Sequence, residues 1–254
     1  QLKAQGTAKG KEHIITGIKA AEAGFSERYY LEGYAERGFL RMNSNSYLGL
    51  ACHPQLIATE AQAAEQFGTG PGAVRFISGT YQPHVALETA LAAFHGRDSA
   101  MVMSAAYATV VGVLPQLVTN STLVISDALN HNSIITAIRL AQPAKKAVYA
   151  HLDMSALDAL LTNHTGQVKR VCVVTDGVFS MRGDHAPLQE LAAICRRHDA
   201  DYEEGIITIV DDSHGVGALG NTGRGTEEYT QTRADILIAT LGKALGVNGG
   251  YVVA

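Results

Sequence analysis

Short apolar runs alternate with amphipathic stretches through most of the chain. The apolar runs are a few residues long and rich in β-branched side chains, which is typical of buried strands. They predict seven strands, at residues 100–103, 122–126, 147–149, 171–175, 206–210, 236–240 and 250–253. Stretches with helical periodicity lie between most of these runs, at residues 105–118, 133–140, 155–161 and 188–198. The alternation predicts an α/β fold with a mostly parallel seven-stranded sheet and helices on both faces.

The pattern is less regular before residue 100. Residues 11–23 are interpreted as a helix, and a proline in the first helical turn predicts a second helix from Pro54 to about Phe67. We expect an N-terminal segment over residues 1–40 and one large domain over residues 41–254.

Polar clusters follow five of the predicted strands directly. In a parallel α/β sheet, ligands lie outside the carboxyl ends of the strands. These clusters are therefore expected to meet at one edge of the sheet and to form a single active site. They occupy residues 104–107, 127–131, 176–180, 211–214 and 240–243.

Two of these clusters carry complementary chemistry. Lys243 is the only cation between Arg233 and the end of the chain, and it lies among small and apolar residues. Such surroundings lower the pKa of an amine and make it a usable nucleophile or base, although a surface loop lysine is the alternative interpretation. Asp211 follows another apolar run. A ligand with an aldehyde for the lysine and a basic ring nitrogen for the aspartate would satisfy both residues, and pyridoxal 5′-phosphate (PLP) has both groups.

Composition excludes several classes of function. The chain has 254 residues, 46% of them hydrophobic, and a net charge of −4 without long runs of one sign. Nothing indicates a nucleic-acid surface, and no apolar run reaches the roughly 18 residues of a membrane span. Three widely spaced cysteines predict reduced core thiols in a cytoplasmic protein.

Four competing motifs fit the sequence less well. The G-x-G-x-x-G of residues 215–220 does not directly follow a strand, and the first glycine of a P-loop ending at Lys243 would fall on Leu237. A metal site is not expected, because the ten histidines include no H-x-x-x-H pair. A serine hydrolase using Ser180 would need a nucleophile elbow that the residues around it do not form.

Five motifs, in this order, resemble those of the α-oxoamine synthases, which are fold-type I PLP enzymes. The resemblance covers about residues 40–254. It implies the PLP-binding large domain of a fold-type I transferase, with PLP as the cofactor. The motifs are residues 45–50, 126–131, 175–181, 211–214 and 240–243.

The resemblance implies a role for each matched residue. Lys243 would hold PLP covalently and then act as the base at the substrate α-carbon, while His131 would stack on the cofactor ring. Asp211 would pair with the ring nitrogen and keep it protonated, so that the ring works as an electron sink. His214 and Ser180 would hydrogen-bond near the phenolic oxygen of the cofactor.

The phosphate and the substrate would be held by other residues. Phosphate contacts are implied for Thr240 and for the backbone amides of Ala106 and Tyr107, at a helix start with unpaired N–H groups. Asn45 would face the amino-acid substrate. One departure concerns Val110, which replaces the asparagine usual in the family's phosphate loop.

The implied reaction joins a small amino acid, with glycine expected, to an acyl-CoA, giving an α-oxoamine or a 2-amino-3-keto acid and CoA. The residues of these motifs are most similar to those of glycine C-acetyltransferase. The alternatives within the family are 8-amino-7-oxononanoate synthase and a long-chain acyl relative such as serine palmitoyltransferase. A catalytically silent partner subunit, or another fold-type I aminotransferase or lyase, is the alternative from a different class.

Family members form an active unit larger than this chain. The sequence begins with Gln1 and stops at Ala254, ahead of the C-terminal small domain that the resemblance implies, so we expect a fragment. A homodimer is also expected, with the glycine-rich residues 68–80 crossing between subunits.

Overall fold

The computed structural model describes residues 10–254, and the chain divides into two compact units, with the division between Asn45 and Ser46. The first unit contains a three-stranded antiparallel sheet of β1 (Ile15–Lys19), β2 (Arg28–Leu31) and β3 (Gly38–Phe39). The helix expected over residues 11–23 is therefore wrong. The β-branched residues that precede and form β1, with Gly17 among them, favour the extended backbone over a helix.

The second unit contains all seven strands that the apolar runs predict, with small shifts at their ends. They are β4 (Ala100–Met103), β5 (Thr122–Asp127), β6 (Lys145–Tyr149), β7 (Arg170–Asp176), β8 (Ile206–Asp211), β9 (Ile236–Thr240) and β10 (Gly250–Val253).

Helices connect most of these strands, and some of the helices begin at recognisable start signals. Pro54 occupies the first turn of its helix, and the Asp153 carboxylate caps another by accepting the Ala156 N–H at 2.9 Å. The helices are α1 (Pro54–Phe67), α2 (Gln82–His95), α3 (Ala106–Leu117), α4 (Asn132–Ala141), α5 (Met154–His164), α6 (Leu188–His198) and α7 (Thr226–Thr230). Among the described residues, no helix is both long and apolar enough to cross a bilayer.

The strand order of the large sheet is β4-β10-β9-β8-β7-β5-β6. Strand β10 is antiparallel to both of its neighbours, and the remaining pairings are parallel. Strand β4 therefore runs in the same direction as β9, and six strands end at the same edge of the sheet. The α/β fold class and the mostly parallel sheet are confirmed.

The central strands are buried on both faces, which explains why they are continuous apolar runs in the sequence. Leu123 and Val173 face the layer of α5 and α6, whereas Val124 and Val174 face α3 and α4. Burial raises the pKa of the thiols of Cys172 and Cys195 to about 12. Both cysteines are free and serve as core residues.

A buried carboxyl fixes the turn that follows β8. Asp212 is fully buried and accepts hydrogen bonds from the Thr226 N–H at 2.6 Å and the Thr226 hydroxyl at 2.5 Å. A Cβ at Gly177 or Gly215 would lie 2.2 or 2.1 Å from its Oδ1, so only glycine fits beside it. Asp212 thereby holds the neighbouring residues Ser213 and His214 at the edge of the sheet.

Candidate active site

A cavity of about 260 Å³ opens at the edge where the six strands end. Eight residues that the sequence singled out line it: Ala106, Tyr107, His131, Ser180, Asp211, His214, Thr240 and Lys243. Four further residues line it, to which the sequence assigns no individual role: Ala105, Ser133, Asp176 and Ser213. Asn45, the candidate substrate residue, belongs to the other compact unit.

Lys243 lies half-buried in the turn between β9 and β10. The Leu241 N–H donates to the Gly249 carbonyl at 3.0 Å, which closes the loop that carries the lysine. Burial lowers the pKa of Lys243, while the carboxylates of Asp211 and Asp176 oppose that shift. A larger fraction of its amine is therefore neutral, and nucleophilic, than in a solvated lysine.

His214 lies next to the lysine amine. Its Nε2 is 2.7 Å from the Nζ of Lys243, and its Nδ1 is 2.6 Å from the Tyr47 hydroxyl. Burial, followed by the charges of Lys243 and His131, lowers the pKa of His214 to about 4. The imidazole is therefore neutral near pH 7 and carries a single ring proton.

Asp211 ends β8 with a buried carboxyl that keeps one oxygen for a ligand. Its Oδ1 accepts the Ser213 hydroxyl at 2.6 Å and the Ser213 N–H at 3.2 Å. Over residues 10–254, no protein donor contacts its Oδ2. Burial raises the pKa of Asp211, and the Ser213 hydrogen bonds and the charges of Lys243 and His131 oppose this shift only in part, so a cation in direct contact with Oδ2 would stabilise the carboxylate further. A protonated ring nitrogen of a ligand would provide that cation.

Asp176 is a second carboxyl at the same height in the sheet. It ends β7 and pairs in register with Asp211. Its Oδ2 accepts the His131 N–H at 2.9 Å, and its own N–H donates to Asn130 Oδ1 at 2.9 Å. Burial and the charge of Asp211 raise the pKa of Asp176 to about 8. These two hydrogen bonds hold the loop that carries His131 against β7.

His131 is both a cavity residue and the N-cap of α4. Its Nδ1 contacts the Ser133 hydroxyl at 2.7 Å and accepts the Ser133 N–H at 3.2 Å. One edge of the imidazole is thus fixed by the helix start. A ring held in this way can pack on a planar ligand without the entropy cost of ordering it on binding.

The N-terminus of α3 forms the anion-binding end of the cavity. Its N-cap, Ala105, offers no side-chain acceptor and its first turn has no acidic residue, so the amides of Ala106 and Tyr107 are left for a ligand. A Cβ at Gly250 would lie 2.2 Å from the Ala106 nitrogen, so this strand start requires glycine. Thr240 Oγ1 accepts the Gly242 N–H at 3.1 Å at the same edge.

The departure at position 110 has a structural reason. Val110 is 2% exposed and packs in the core between α3 and the sheet, beside Leu114 and Ile134. Its side chain supplies no donor to a phosphate, so the amides of the first turn would carry that task.

Ser180 lies on a short hairpin-like loop that follows β7. The bridge between Val178 and His185 and the Phe179 N–H to Asp184 carbonyl hydrogen bond of 2.9 Å shape this loop. His151 Nδ1 is 2.9 Å from Asp127 Oδ1, and its Nε2 is 3.3 Å from Asp184 Oδ2. This imidazole thereby ties the Ser180 loop to the end of β5.

The residues around the cavity fit PLP. The amine of Lys243 matches an aldehyde, Oδ2 of Asp211 matches a ring N–H, and the amides of Ala106 and Tyr107 match a phosphate. Across the described part of the chain, no group of three or more His, Cys, Asp or Glu residues is arranged to hold a metal ion.

The raised pKa of Asp176 predicts a pH-dependent stability of the cofactor-free protein. Folded Asp176 keeps its proton up to about pH 8, whereas the unfolded chain releases it near pH ~4, so stability falls as pH rises between these values. In Asp176→Asn, which keeps an acceptor for the His131 amide, this loss is absent. We expect urea unfolding at pH 5 to 9 to show that the free energy of unfolding of the variant rises relative to that of wild type up to about pH 8. Above that pH, the difference between the two proteins should stay constant. A difference that is constant with pH would contradict the assignment.

Comparisons with known proteins agree with this site. Residues 37–254 match the sequence model of the aminotransferase class I and II family. The chain is 43% identical over 256 residues to 8-amino-7-oxononanoate synthase of Geobacter sulfurreducens, an alignment that spans 100% of this chain and 61% of that protein. This chain thus spans less than two thirds of the length of that relative.

Two solved structures share the fold of the chain. The serine palmitoyltransferase of Sphingomonas wittichii superposes with a TM-score of 0.82 at 33% identity, over 89% of this chain and 55% of that one. A lysine-to-alanine variant of the S. paucimobilis serine palmitoyltransferase, with a bound PLP–myriocin aldimine, superposes with a TM-score of 0.86 at 28% identity. That alignment covers 100% of this chain and 60% of the other.

Proposed function

Because this chain belongs to the aminotransferase class I and II family, and its relatives are α-oxoamine synthases, we propose that it forms the cofactor-binding part of a PLP-dependent C-acyltransferase. One observation carries the proposal. A single cavity brings together a lysine amine of lowered pKa, a buried carboxyl with a free oxygen and an uncapped helix N-terminus. These three features match the aldehyde, the ring nitrogen and the phosphate of one ligand.

The cofactor would supply an electron sink for a carbanion at the α-carbon of an amino acid. Lys243 would bind the cofactor covalently and then take the proton from the substrate α-carbon. Oδ2 of Asp211 would hold the proton on the ring nitrogen, and the buried position of this carboxyl would make the pairing strong. His131 would orient the ring, while His214 and Ser180 would present polar groups to the oxygen beside the reacting carbon.

The residues of the motifs are most similar to those of glycine C-acetyltransferase. The relatives, in contrast, favour the alternatives with longer acyl groups. Both named relatives, 8-amino-7-oxononanoate synthase and serine palmitoyltransferase, have acyl groups longer than acetyl in their products. We therefore propose a small amino acid and a medium- or long-chain acyl thioester as substrates. If the product is 8-amino-7-oxononanoate, the methyl carbon beyond its amino-bearing C8 requires alanine, and its nine carbons then require a seven-carbon acyl group with a terminal carboxylate, since one carbon leaves as CO₂.

Product analysis on the full-length protein tests this proposal. PLP-loaded protein would be given glycine, alanine or serine, each with an acetyl, a seven-carbon dicarboxylic or a palmitoyl thioester, and the products would be identified by mass spectrometry. We expect condensation with one of the two longer thioesters. The kcat/KM for the acetyl thioester should be at least about tenfold lower, because an acetyl group lacks the methylene groups through which a longer chain would bind. Preferred use of acetyl would restore the acetyltransferase assignment. Bound cofactor without any product would favour the silent-subunit alternative.

We also propose a homodimer in which the glycine-rich residues 68–80 cross between subunits. Phe76 and Ile77 in this segment are 89% and 69% exposed, and such apolar surface is typical of a protein interface. The neighbouring Arg75 is held in place by its ion pair with Glu88. Sedimentation of the full-length protein should give a dimer at micromolar concentration, and a single monomeric species would contradict the proposal.

A further inference from the structure

A continuous line of hydrogen bonds leads from a tyrosine to the lysine amine. The Tyr47 hydroxyl is 2.6 Å from Nδ1 of His214, and Nε2 of the same ring is 2.7 Å from Nζ of Lys243. Building on the function proposed above, we propose that Tyr47 is a positioning residue that fixes the ring proton of His214 and thereby favours the neutral, reactive form of the Lys243 amine.

The backbone brings Tyr47 to this place by close packing. The loop that carries Lys243 lies so near the residues after Tyr47 that a Cβ at Gly246 would be 2.5 Å from the Ala51 nitrogen. Gly246 also has a positive φ of 73°, which side chains disfavour. The Tyr47 and His214 rings, whose centroids are 6.2 Å apart, meet within the same compact unit.

The direction of the first hydrogen bond follows from the chemistry of the two groups. Burial raises the pKa of Tyr47 and lowers that of His214 to about 4, so near pH 7 the phenol keeps its proton and the imidazole has one. A phenol donates a hydrogen bond more strongly than it accepts one, whereas an unprotonated imidazole nitrogen is a good acceptor. Tyr47 therefore donates to Nδ1, which places the single ring proton on Nε2.

The second hydrogen bond then favours one form of the lysine. A proton on Nε2 points at Nζ and needs an acceptor. The neutral amine has a lone pair to accept it, and the ammonium has none. The Nε2–H thus acts with burial to lower the pKa of Lys243. The carboxylates of Asp211 and Asp176 face the same amine and act in the opposite direction, and the His131 ring acts on His214.

Removal of the Tyr47 hydroxyl frees the imidazole to change tautomer. In Tyr47→Phe, the ring proton can move to Nδ1, and Nε2 can then accept a hydrogen bond from the lysine ammonium. The pKa of Lys243 is therefore expected to rise. One net hydrogen bond corresponds to a shift of about 0.5 to 1 pKa unit.

The pKa of the Lys243 amine can be measured without the cofactor. Cofactor-free full-length protein would be labelled briefly with trace acetic anhydride between pH 6 and 11, and acetylation of Lys243 would be quantified by peptide mass spectrometry. We expect the midpoint for Tyr47→Phe to lie about 0.5 to 1 unit above that of wild type. Labelling should be about three- to tenfold slower below the midpoint and equal to wild type at high pH. Tyr229→Phe removes a hydroxyl from a more exposed tyrosine that packs against His185, and it should shift nothing.

Repeating the Tyr47→Phe substitution in a variant that lacks the His214 imidazole shows whether Tyr47 acts through His214. In His214→Gln, the additional Tyr47→Phe change should leave the midpoint unmoved. An unshifted midpoint in the single variant would overturn the proposal, and so would an equal shift in the His214→Gln background. Slower labelling by the same factor at every pH would indicate a structural role alone and would also overturn it. Because acetic anhydride reports on the amine itself, a failure of wild-type protein to capture PLP would count against the proposed function and not against this inference.

Discussion

Lys243→Ala in the full-length protein is expected to lower condensing activity at least about a thousand-fold and to abolish covalent capture of PLP. Both effects have one cause, since the same amine would attach the cofactor and move the α-proton. Its lowered pKa and its place in the lining of the cavity fit it for these tasks. Steady-state kinetics at saturating PLP would measure the loss of activity.

Two further variants separate the chemistry of the amine from its charge. Lys243→Arg keeps a cation, but a guanidinium does not deprotonate near neutral pH, so an equally large loss is expected. Lys169→Ala removes an exposed lysine that pairs with Glu203 on the surface, and its activity should match wild type. Activity above about a tenth of wild type in Lys243→Ala would contradict the role of this residue.

Asp211→Asn is expected to lower kcat about a hundred- to a thousand-fold while the cofactor still binds covalently. The amide keeps the shape of the side chain and an oxygen that can accept the Ser213 hydrogen bonds. What it loses is the negative charge that would hold a proton on the ring nitrogen. The expected defect is therefore in the ability of the ring to stabilise a carbanion, and it should appear in kcat more than in KM.

Asp212→Asn is the matched control, because it changes the adjacent buried carboxyl. Asp212 contacts Thr226 and does not line the cavity. Loss of one of its two buried hydrogen bonds should lower the free energy of unfolding by about 1–3 kcal/mol and leave kcat close to that of wild type. If Asp212→Asn impaired kcat as much as Asp211→Asn, the assignment of the ring-nitrogen partner would be wrong.

The large sheet was predictable because its strands are buried on both faces. Runs such as Ile206–Asp211 and Ile236–Thr240 are continuous apolar segments that end in polar residues, so both the strands and the active edge can be identified in the sequence. The first unit was not predictable in the same way. Its strand β1 is largely exposed, so no buried face imposes a two-residue period, and the sequence pattern favours a helix there.

Local sequence patterns identify only some of the residues in the candidate site. Lys243 and Asp211 stand out because each is a charged residue that follows an apolar run. Asp176 also follows such a run, but its importance depends on register with Asp211 and on the His131 amide, which only pairing of the strands provides. Tyr47 lies 167 positions from His214, and no local pattern indicates that the two side chains meet.

The most direct test is the site of covalent attachment. Full-length protein would be incubated with PLP, reduced with borohydride, digested and mapped by mass spectrometry. The expected result is one phosphopyridoxyl adduct, on the peptide that contains Lys243, at a stoichiometry near one per chain. Cofactor bound without any adduct, or an adduct mainly on a different lysine, would contradict it.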